Sequence, residues 1–258
     1  MTEHARTDGP LANVIAEARR LLGAAAREQV TIRLLGGVAI ALLAHDPIPE
    51  RLRRSYGDID LVARREDTPR TRALLERLGY TANRRFNNLH GARRLLYYDE
   101  ANGRQLDIFV GAFRMCHELE LAGRLELAPE TLTPADLLLT KLQVVEINRK
   151  DLVDAITLLH ACPVVERMRA GAAELDLERL SDVAGRDWGW YTTLTDNLGR
   201  MPSAVAETLD GADAALVLQR AETIHAALDQ APKTLAWKVR AGVGRRVRWY
   251  ELPEEMAP

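Results

Sequence analysis

The sequence predicts an α/β fold of the α+β kind, with a mixed sheet flanked by helices followed by a mostly helical region. Three observations favour this fold class. Short apolar runs of strand length alternate with helix-like segments up to about residue 110. Two of these runs are separated by a short turn, which is typical of a hairpin. From Thr133 onward the apolar residues recur with helical spacing, so we expect two domains, residues 1–113 and 114–258.

Periodicity, caps and turn residues define the individual elements. We expect helices at about residues 11–28, 38–44, 68–78, 134–147, 149–159 and 212–229. We expect strands at about residues 32–35, 58–63, 80–86, 93–98 and 105–110. Pro69 and Pro134 each stand at a first helical position, where a missing N–H is tolerated. The last two strands form the hairpin.

Composition sets bounds on the class of protein. The 258 residues are 47% apolar and carry a net charge of −2, so a sizeable core is expected, and the overall charge argues neither for nor against a nucleic-acid partner. Cys116 and Cys162 lie far apart without metal-ligand spacing, which indicates reduced thiols. We see neither an N-terminal leader-like segment nor an apolar run near the ~20 residues of a membrane span. We therefore expect a cytoplasmic location.

Two carboxylates mark the second predicted strand. Asp58 and Asp60 are two residues apart, so on a strand they project to one face while Ile59 faces the core. Adjacent carboxylates repel unless positive charge lies between them. Mg²⁺ is a suitable ion, because it binds one or two carboxylates together with substrate phosphates. The alternative is an ordinary solvated strand face.

A glycine pair follows the first predicted strand. Gly36 and Gly37 allow the backbone to turn sharply and to approach a ligand closely. A helix that begins directly afterwards would present free N–H groups, which bind phosphate. The pair therefore predicts a phosphate cradle beside the carboxylates, although glycine pairs also occur in ordinary turns.

Together, these features resemble the signature of the DNA polymerase β-like nucleotidyltransferase superfamily. That signature has a Gly-Gly or Gly-Ser turn, a strand with Asp-x-Asp, and a third acid on a later strand, for which Asp107 is the candidate. The resemblance implies transfer of a nucleoside monophosphate from an NTP to an acceptor hydroxyl. It also implies two Mg²⁺ ions held by Asp58, Asp60 and Asp107, with Asp107 helping to deprotonate the acceptor.

A downstream group of charged residues extends the resemblance. Lys141 on one predicted helix, and Lys150 with Asp151 at the start of the next, resemble motifs of AbiE-type nucleotidyltransferase toxins. The resemblance implies that these three residues bind nucleotide, that the C-terminal domain completes the site, and that a cognate antitoxin is a possible partner. A structural interpretation is also open, because Asn148 and Asp151 have the spacing of a helix cap.

The C-terminal region is basic and aromatic. Residues 233–250 contain six cations and no acid, interleaved with three aromatic rings: Lys233, Lys238, Arg240, Arg245, Arg246, Arg248, Trp237, Trp249 and Tyr250. This pattern fits an RNA or tRNA acceptor, and it fits equally a solvated basic helix whose rings face the core. Three alternative functions stay open: a catalytically silent binding protein, an RNA-binding module, and transfer to a small molecule such as an aminoglycoside or to a protein side chain.

Overall fold

The computed structural model describes residues 9–44 and 48–252. The chain folds into two compact units. The sheet unit comprises the described residues of Met1–Leu42, Ser55–Phe113 and Glu120–Thr131, and the helical unit comprises those of Leu43–Arg54, Arg114–Leu119 and Leu132–Pro258. The chain therefore passes between the units several times.

The sheet unit is built on five strands. They are β1 (Ile32–Leu35), β2 (Ile59–Ala63), β3 (Thr81–Ala82), β4 (Arg94–Asp99) and β5 (Arg104–Val110). Their order in the sheet is β1-β2-β5-β4-β3, with β2 and β5 parallel and the other pairs antiparallel. The predicted mixed sheet and the hairpin, formed by β4 and β5, are thus confirmed.

Side chains alternate between the two faces of the sheet along β2 and β5, and one face is apolar. Ile59 and Leu61 on β2, with Leu106 and Ile108 on β5, are fully buried. Their register pairs are Ile59 with Leu106 and Leu61 with Ile108, so these side chains form two apolar rows across the parallel pair. Each fully buried side chain of this size contributes about 1.5–3 kcal/mol to folding. The residues between them project to the opposite face.

Four helices belong to the sheet unit: α1 (Val14–Arg27), α2 (Gly36–Leu43), α3 (Thr68–Arg77) and α4 (Arg84–His90). The Asn13 side chain caps α1 by accepting a hydrogen bond from the Ala16 N–H at 2.9 Å. Helix α2 begins at Gly36, two residues before the predicted start. It is buried on most sides, as an apolar helix requires.

The predicted strand at residues 80–86 is mostly wrong, because α4 occupies its second half. Asn83 ends the short β3 and caps α4, accepting a hydrogen bond from the Phe86 N–H at 3.0 Å. Buried Asn87 then bonds both backbone groups of Leu96, at 2.7 Å to its N–H and 3.1 Å to its carbonyl. The side chain of one asparagine thus satisfies backbone groups on β4, and this contact favours helix over strand here.

The remaining elements follow in chain order. They are β6 (Ala112–Arg114), β7 (Glu118–Glu120), α5 (Pro134–Leu142), α6 (Arg149–Ala161), β8 (Val164–Val165), β9 (Leu175–Asp176), α7 (Leu177–Arg186), α8 (Trp188–Leu198), α9 (Met201–Thr208), α10 (Gly211–Gln230) and α11 (Leu235–Val243). The mostly helical C-terminal region is therefore confirmed. Helix α5 ends at Leu142, earlier than predicted.

Cys116 and Cys162 are free and buried. In the described part of the chain, no helix has the length and apolar character needed to cross a bilayer.

Candidate active site: a carboxylate row on the sheet

Two aspartates lie directly opposite each other on the parallel pair of strands. Asp60 on β2 is the register partner of Asp107 on β5. Leu35 on β1 lies opposite Asp60, and Leu96 on β4 lies opposite Asp107, so the two carboxylates are central in a four-strand row. Neighbouring strands stand about 4.8 Å apart, so the two side chains leave one face of the sheet as close neighbours. The register therefore brings together two of the three predicted acids.

Gly36 packs directly against the carboxylate of Asp60. Its φ angle is +69°, in the left-handed region that glycine adopts without strain. A β-carbon placed on Gly36 would lie 2.0 Å from Asp60 Oδ2, far inside any contact distance. Only glycine therefore allows both this turn and this approach. The structure places the first residue of α2, whose free N–H groups suit an anion, beside one predicted metal ligand.

Asp58 and Gly37 complete the predicted set in the sheet unit. Strand β2 begins at Ile59, so Asp58 lies just before the strand rather than in it, and its side chain is exposed. Asp60 is half-buried and Asp107 is buried, with 4% of its surface exposed. Gly37 is half-buried at the second position of α2. Exposure thus falls from Asp58 through Asp60 to Asp107.

Asp107 has two partners that the sequence analysis did not identify. Arg94 Nε donates to Asp107 Oδ1 at 2.8 Å, and Gln105 Nε2 donates to Asp107 Oδ2 at 2.7 Å. Gln105 could have been found, because it stands two residues before Asp107 and therefore shares its strand face. Arg94 comes from β4, and its position depends on the hairpin register. Each oxygen of the third predicted acid thus accepts a hydrogen bond from within the sheet unit.

The donor set for a metal ion is uneven. Within residues 9–44 and 48–252, no three or more His, Cys, Asp or Glu side chains are arranged so that they could hold one ion together. Mg²⁺ does not need three, since one or two carboxylates with substrate phosphates are its usual ligands. Asp58 and Asp60 supply donors of this kind. Asp107 is the most buried of the three acids, and the Arg94 guanidinium neutralises its charge.

The predicted nucleotide-binding residues Lys141 and Asp151 lie in the helical unit, where they contact each other. Lys141 Nζ is 2.9 Å from Asp151 Oδ1 and 2.9 Å from Asp154 Oδ2. Asp154 is 1% exposed and also pairs with Arg54, whose Nε lies 3.1 Å from Oδ1. Burial by itself would lower the pKa of Lys141, but the carboxylates of Asp154 and Asp151 raise it above its ordinary value. Lys141 is therefore held as an ammonium ion within a compact charge cluster.

Lys150 and Asp151 also begin α6. The side chain of Asn148 accepts from the Asp151 N–H at 3.0 Å and donates to Asp151 Oδ2 at 2.8 Å. The predicted helix cap is thus confirmed, with Asp151 serving both the cap and the charge cluster. Lys150 is exposed. Nucleotide binding by Lys141, Lys150 and Asp151 stays a prediction.

The rings of the basic C-terminal region contact the chain's own cations. Lys233 lies over Tyr191 and Trp237 at 4.6 and 5.4 Å, measured from Nζ to the ring centroids. Three further cation–ring pairs occur at 4.8–5.7 Å: Arg240 with Trp188, Arg245 with Trp249, and Arg248 with Tyr250. Trp188 and Trp249 also meet edge to face. These contacts favour the packing role that the sequence analysis left open for the aromatic residues.

A family match agrees with the geometry of the sheet unit. The model of a family described as uncharacterised nucleotidyltransferase matches residues 11–184. This range is about two thirds of the chain and contains every predicted site residue. The chain belongs to this nucleotidyltransferase family. A comparison with curated proteins finds no match.

Solved structures give a more distant likeness. An antigenic nucleotidyltransferase-like protein from Paracoccidioides brasiliensis is similar over 88% of this chain and 97% of its own, with 14% identity and a TM-score of 0.46. JHP933 from Helicobacter pylori is similar over 88% of this chain and 97% of its own, with 14% identity and a TM-score of 0.37. At these scores, neither likeness bears on the chemistry of the site.

Proposed function

We propose that this nucleotidyltransferase-family protein transfers a nucleoside monophosphate from an NTP to an acceptor hydroxyl, with a divalent metal ion. One observation carries the proposal. Asp60 and Asp107 are register partners on parallel strands, and the first residue of a helix packs on the Asp60 carboxylate through Gly36. Carboxylates beside a helix N-terminus can serve a metal-bound triphosphate, because the amides attract phosphate and the acids attract the ion.

The residues that fit a metal ion are Asp58 and Asp60. Their carboxylate oxygens are the hard donors that Mg²⁺ prefers, and their exposed and half-buried positions leave them accessible. A bound ion would polarise the α-phosphate and stabilise the charge that develops on the leaving pyrophosphate. Asp107 is less accessible, since it is buried and Arg94 and Gln105 donate to its two oxygens.

The chain itself would supply position and electrostatics. The N–H groups at the start of α2, including that of Gly37, would hold the phosphates. Asp107 would accept the proton of the attacking hydroxyl, a role that requires its ionised form. Phosphoryl chemistry of this kind depends mostly on placing the groups and stabilising charge, so loss of a carboxylate should remove most of the rate.

The acceptor is a separate part of the proposal. RNA, and tRNA in particular, is the acceptor that the basic residues 233–250 suggest, with exposed Lys238 and Arg246 as the side chains for its backbone. An AbiE-type toxin role with a cognate antitoxin follows only from the resemblance. The hydroxyl group of a small molecule is the alternative acceptor, because a basic surface that suits RNA is also compatible with transfer to a small molecule.

The test is an incubation with each α-labelled NTP, Mg²⁺ and bulk tRNA. We expect label on RNA with the wild-type protein and a loss on the order of 10³-fold in Asp60→Asn and Asp58→Asn. Glu100→Gln is the matched control, because it removes one exposed carboxylate from the same unit at the β4–β5 turn. Wild-type activity in a folded Asp60→Asn protein would contradict the proposal. Label on added aminoglycosides instead of RNA would change only the acceptor.

A second candidate function is nucleotide binding without transfer. The pairing of Asp107 with Arg94 favours it, because the proton acceptor of the proposed reaction is already neutralised. Saturable, Mg²⁺-dependent NTP binding with no product on any acceptor would support this function. Product that disappears in Asp60→Asn would exclude it.

A further inference from the structure

The ion pair between Arg94 and Asp107 is held in place by neighbouring side chains of the sheet. The two charged groups meet at 2.8 Å, and the side chains of Arg94 and Asp107 are 24% and 6% exposed. The Arg94 guanidinium also lies over the Phe109 ring, 4.9 Å from its centroid. Phe109 is the register partner of Arg94, so the ring lies directly across the hairpin from it. The ring and the carboxylate together hold the guanidinium in one place.

The position of Asp107 explains why a cation is needed there. Like charges directly opposite each other on neighbouring strands destabilise a sheet, and Asp60 lies opposite Asp107. Burial adds to the cost, because an ionised carboxylate out of water must be paired and hydrogen-bonded. Arg94 supplies the pairing charge, and Gln105 supplies a hydrogen bond to the other oxygen. The sheet therefore supplies Asp107 with a cation and a second hydrogen-bond donor of its own, without requiring a metal ion.

We propose that Arg94 takes the place of a second metal ion at Asp107, so that the site binds one divalent cation, through Asp58 and Asp60, instead of two. This inference rests on the proposed function, since it concerns the same carboxylates. A guanidinium within hydrogen-bond distance of Asp107 repels an incoming dication and has already satisfied the charge that would attract it. Arg94 acts through Asp107 and is a positioning residue.

A purely structural Arg94 would behave differently. Its contacts with Phe109 and Asp107 would then matter for stability alone, and removing its charge would leave metal binding unchanged. The number and affinity of bound ions therefore separate the two roles, whereas enzymatic activity alone does not. Mn²⁺ is a suitable probe, because its free and bound forms differ in their electron paramagnetic resonance signal.

The experiment counts Mn²⁺ ions bound per chain and measures their affinity in the full-length protein. We expect one ion in the wild type, none in Asp58→Asn/Asp60→Asn, and still one in Asp107→Asn. In Arg94→Met, which keeps the stem over Phe109 but loses the charge, we expect a second ion or at least tenfold tighter binding. Adding Asp107→Asn to Arg94→Met should abolish that gain, and Arg94→Lys should retain the wild-type value.

Two ions in the wild type, or loss of an ion in Asp107→Asn, would overturn the inference. Unchanged Mn²⁺ binding in a folded Arg94→Met protein would do so as well. If Arg94→Met does not fold, Arg94→Gln removes the same charge and serves in its place, with the same expected and contradicting results. The proposed function fails separately, when no labelled product forms under any condition, whatever the count of bound ions.

Discussion

The two units each contain a group of acidic and basic side chains, and the groups differ in how the acids are enclosed. In the helical unit, Asp154 is 1% exposed and lies between Arg54 and Lys141. On the sheet, the acids range from exposed Asp58 to buried Asp107. A carboxylate enclosed by two cations is suited to holding elements together. A graded row that reaches solvent is suited to meeting a charged ligand.

The largest expected loss of stability follows from substitution of Asp154. Asp154→Ala leaves Arg54 and Lys141 without their shared buried partner, so we expect a loss of about 3–5 kcal/mol in the free energy of unfolding. Asp107→Ala should cost less, about 1–2 kcal/mol, because the partly exposed Arg94 can turn toward water once its partner is removed. Urea unfolding of both variants measures the difference. Equal losses would remove the distinction between the two groups.

A buried histidine makes the stability of the helical unit depend on pH. His117 packs on Trp190, its ring nitrogen lies 2.9 Å from Thr193 Oγ1, and burial, opposed by Asp187, lowers its pKa from 6.5 to about 4. The folded unit therefore favours neutral His117. The stability from this preference is complete above about pH 6.5 and is lost as the pH falls towards 4.

Comparing wild type with His117→Gln isolates this contribution. Between pH 7 and pH 4, we expect the wild type to lose about 3 kcal/mol more unfolding free energy than the variant. Chemical denaturation at several pH values gives both curves, and the carboxylates common to the two proteins cancel in the difference. Parallel curves would mean that His117 titrates normally in the folded protein.

A smaller loss of stability is expected from substitution of Gly36 in the sheet unit. Gly36→Ala adds a β-carbon that would lie 2.0 Å from Asp60 Oδ2, at a residue with φ of +69°. Gly103→Ala is the matched control, because Gly103 has a φ of +63° and open space around it. We expect about 1 kcal/mol of backbone strain in the control and about 2 kcal/mol or more in Gly36→Ala.

The stability difference should be accompanied by a change at the site. Nucleotide binding should weaken in Gly36→Ala and stay unchanged in Gly103→Ala, since only the first substitution displaces the Asp60 carboxylate. Equal unfolding midpoints and equal NTP affinities in the two variants would contradict the close approach of Gly36 to Asp60.

The smallest expected stability effect is at Lys150. Lys150 is exposed, so Lys150→Ala should change the unfolding free energy by less than about 0.5 kcal/mol. Any increase in the KM for NTP in this variant would therefore report a binding role and support the sequence prediction. An unchanged KM would leave Lys150 as a solvated residue at the start of α6.

Local pattern was sufficient for four strands of the main sheet and for six helices. Strands β1, β2, β4 and β5 were predictable, because apolar residues alternate there or form short runs, and Asn148 was recognisable as a helix cap from its spacing to Asp151. Helix α4 was missed because its start depends on the Asn83 cap, and the structure shows Asn87 bonded to Leu96 on a strand that comes later in the chain. A single window of sequence does not contain that partner.

The sequence by itself determined the inventory of the site: three aspartates, a glycine pair, and the strands that carry or flank them. Tertiary structure alone decided that Asp60 lies opposite Asp107, that Gly36 touches Asp60, and that Arg94 neutralises Asp107. The physical reason is register. A shift of one residue in the pairing of β4 with β5 or of β2 with β5 sends side chains to the other face of the sheet, and pairing between strands far apart in sequence is not encoded in either strand alone.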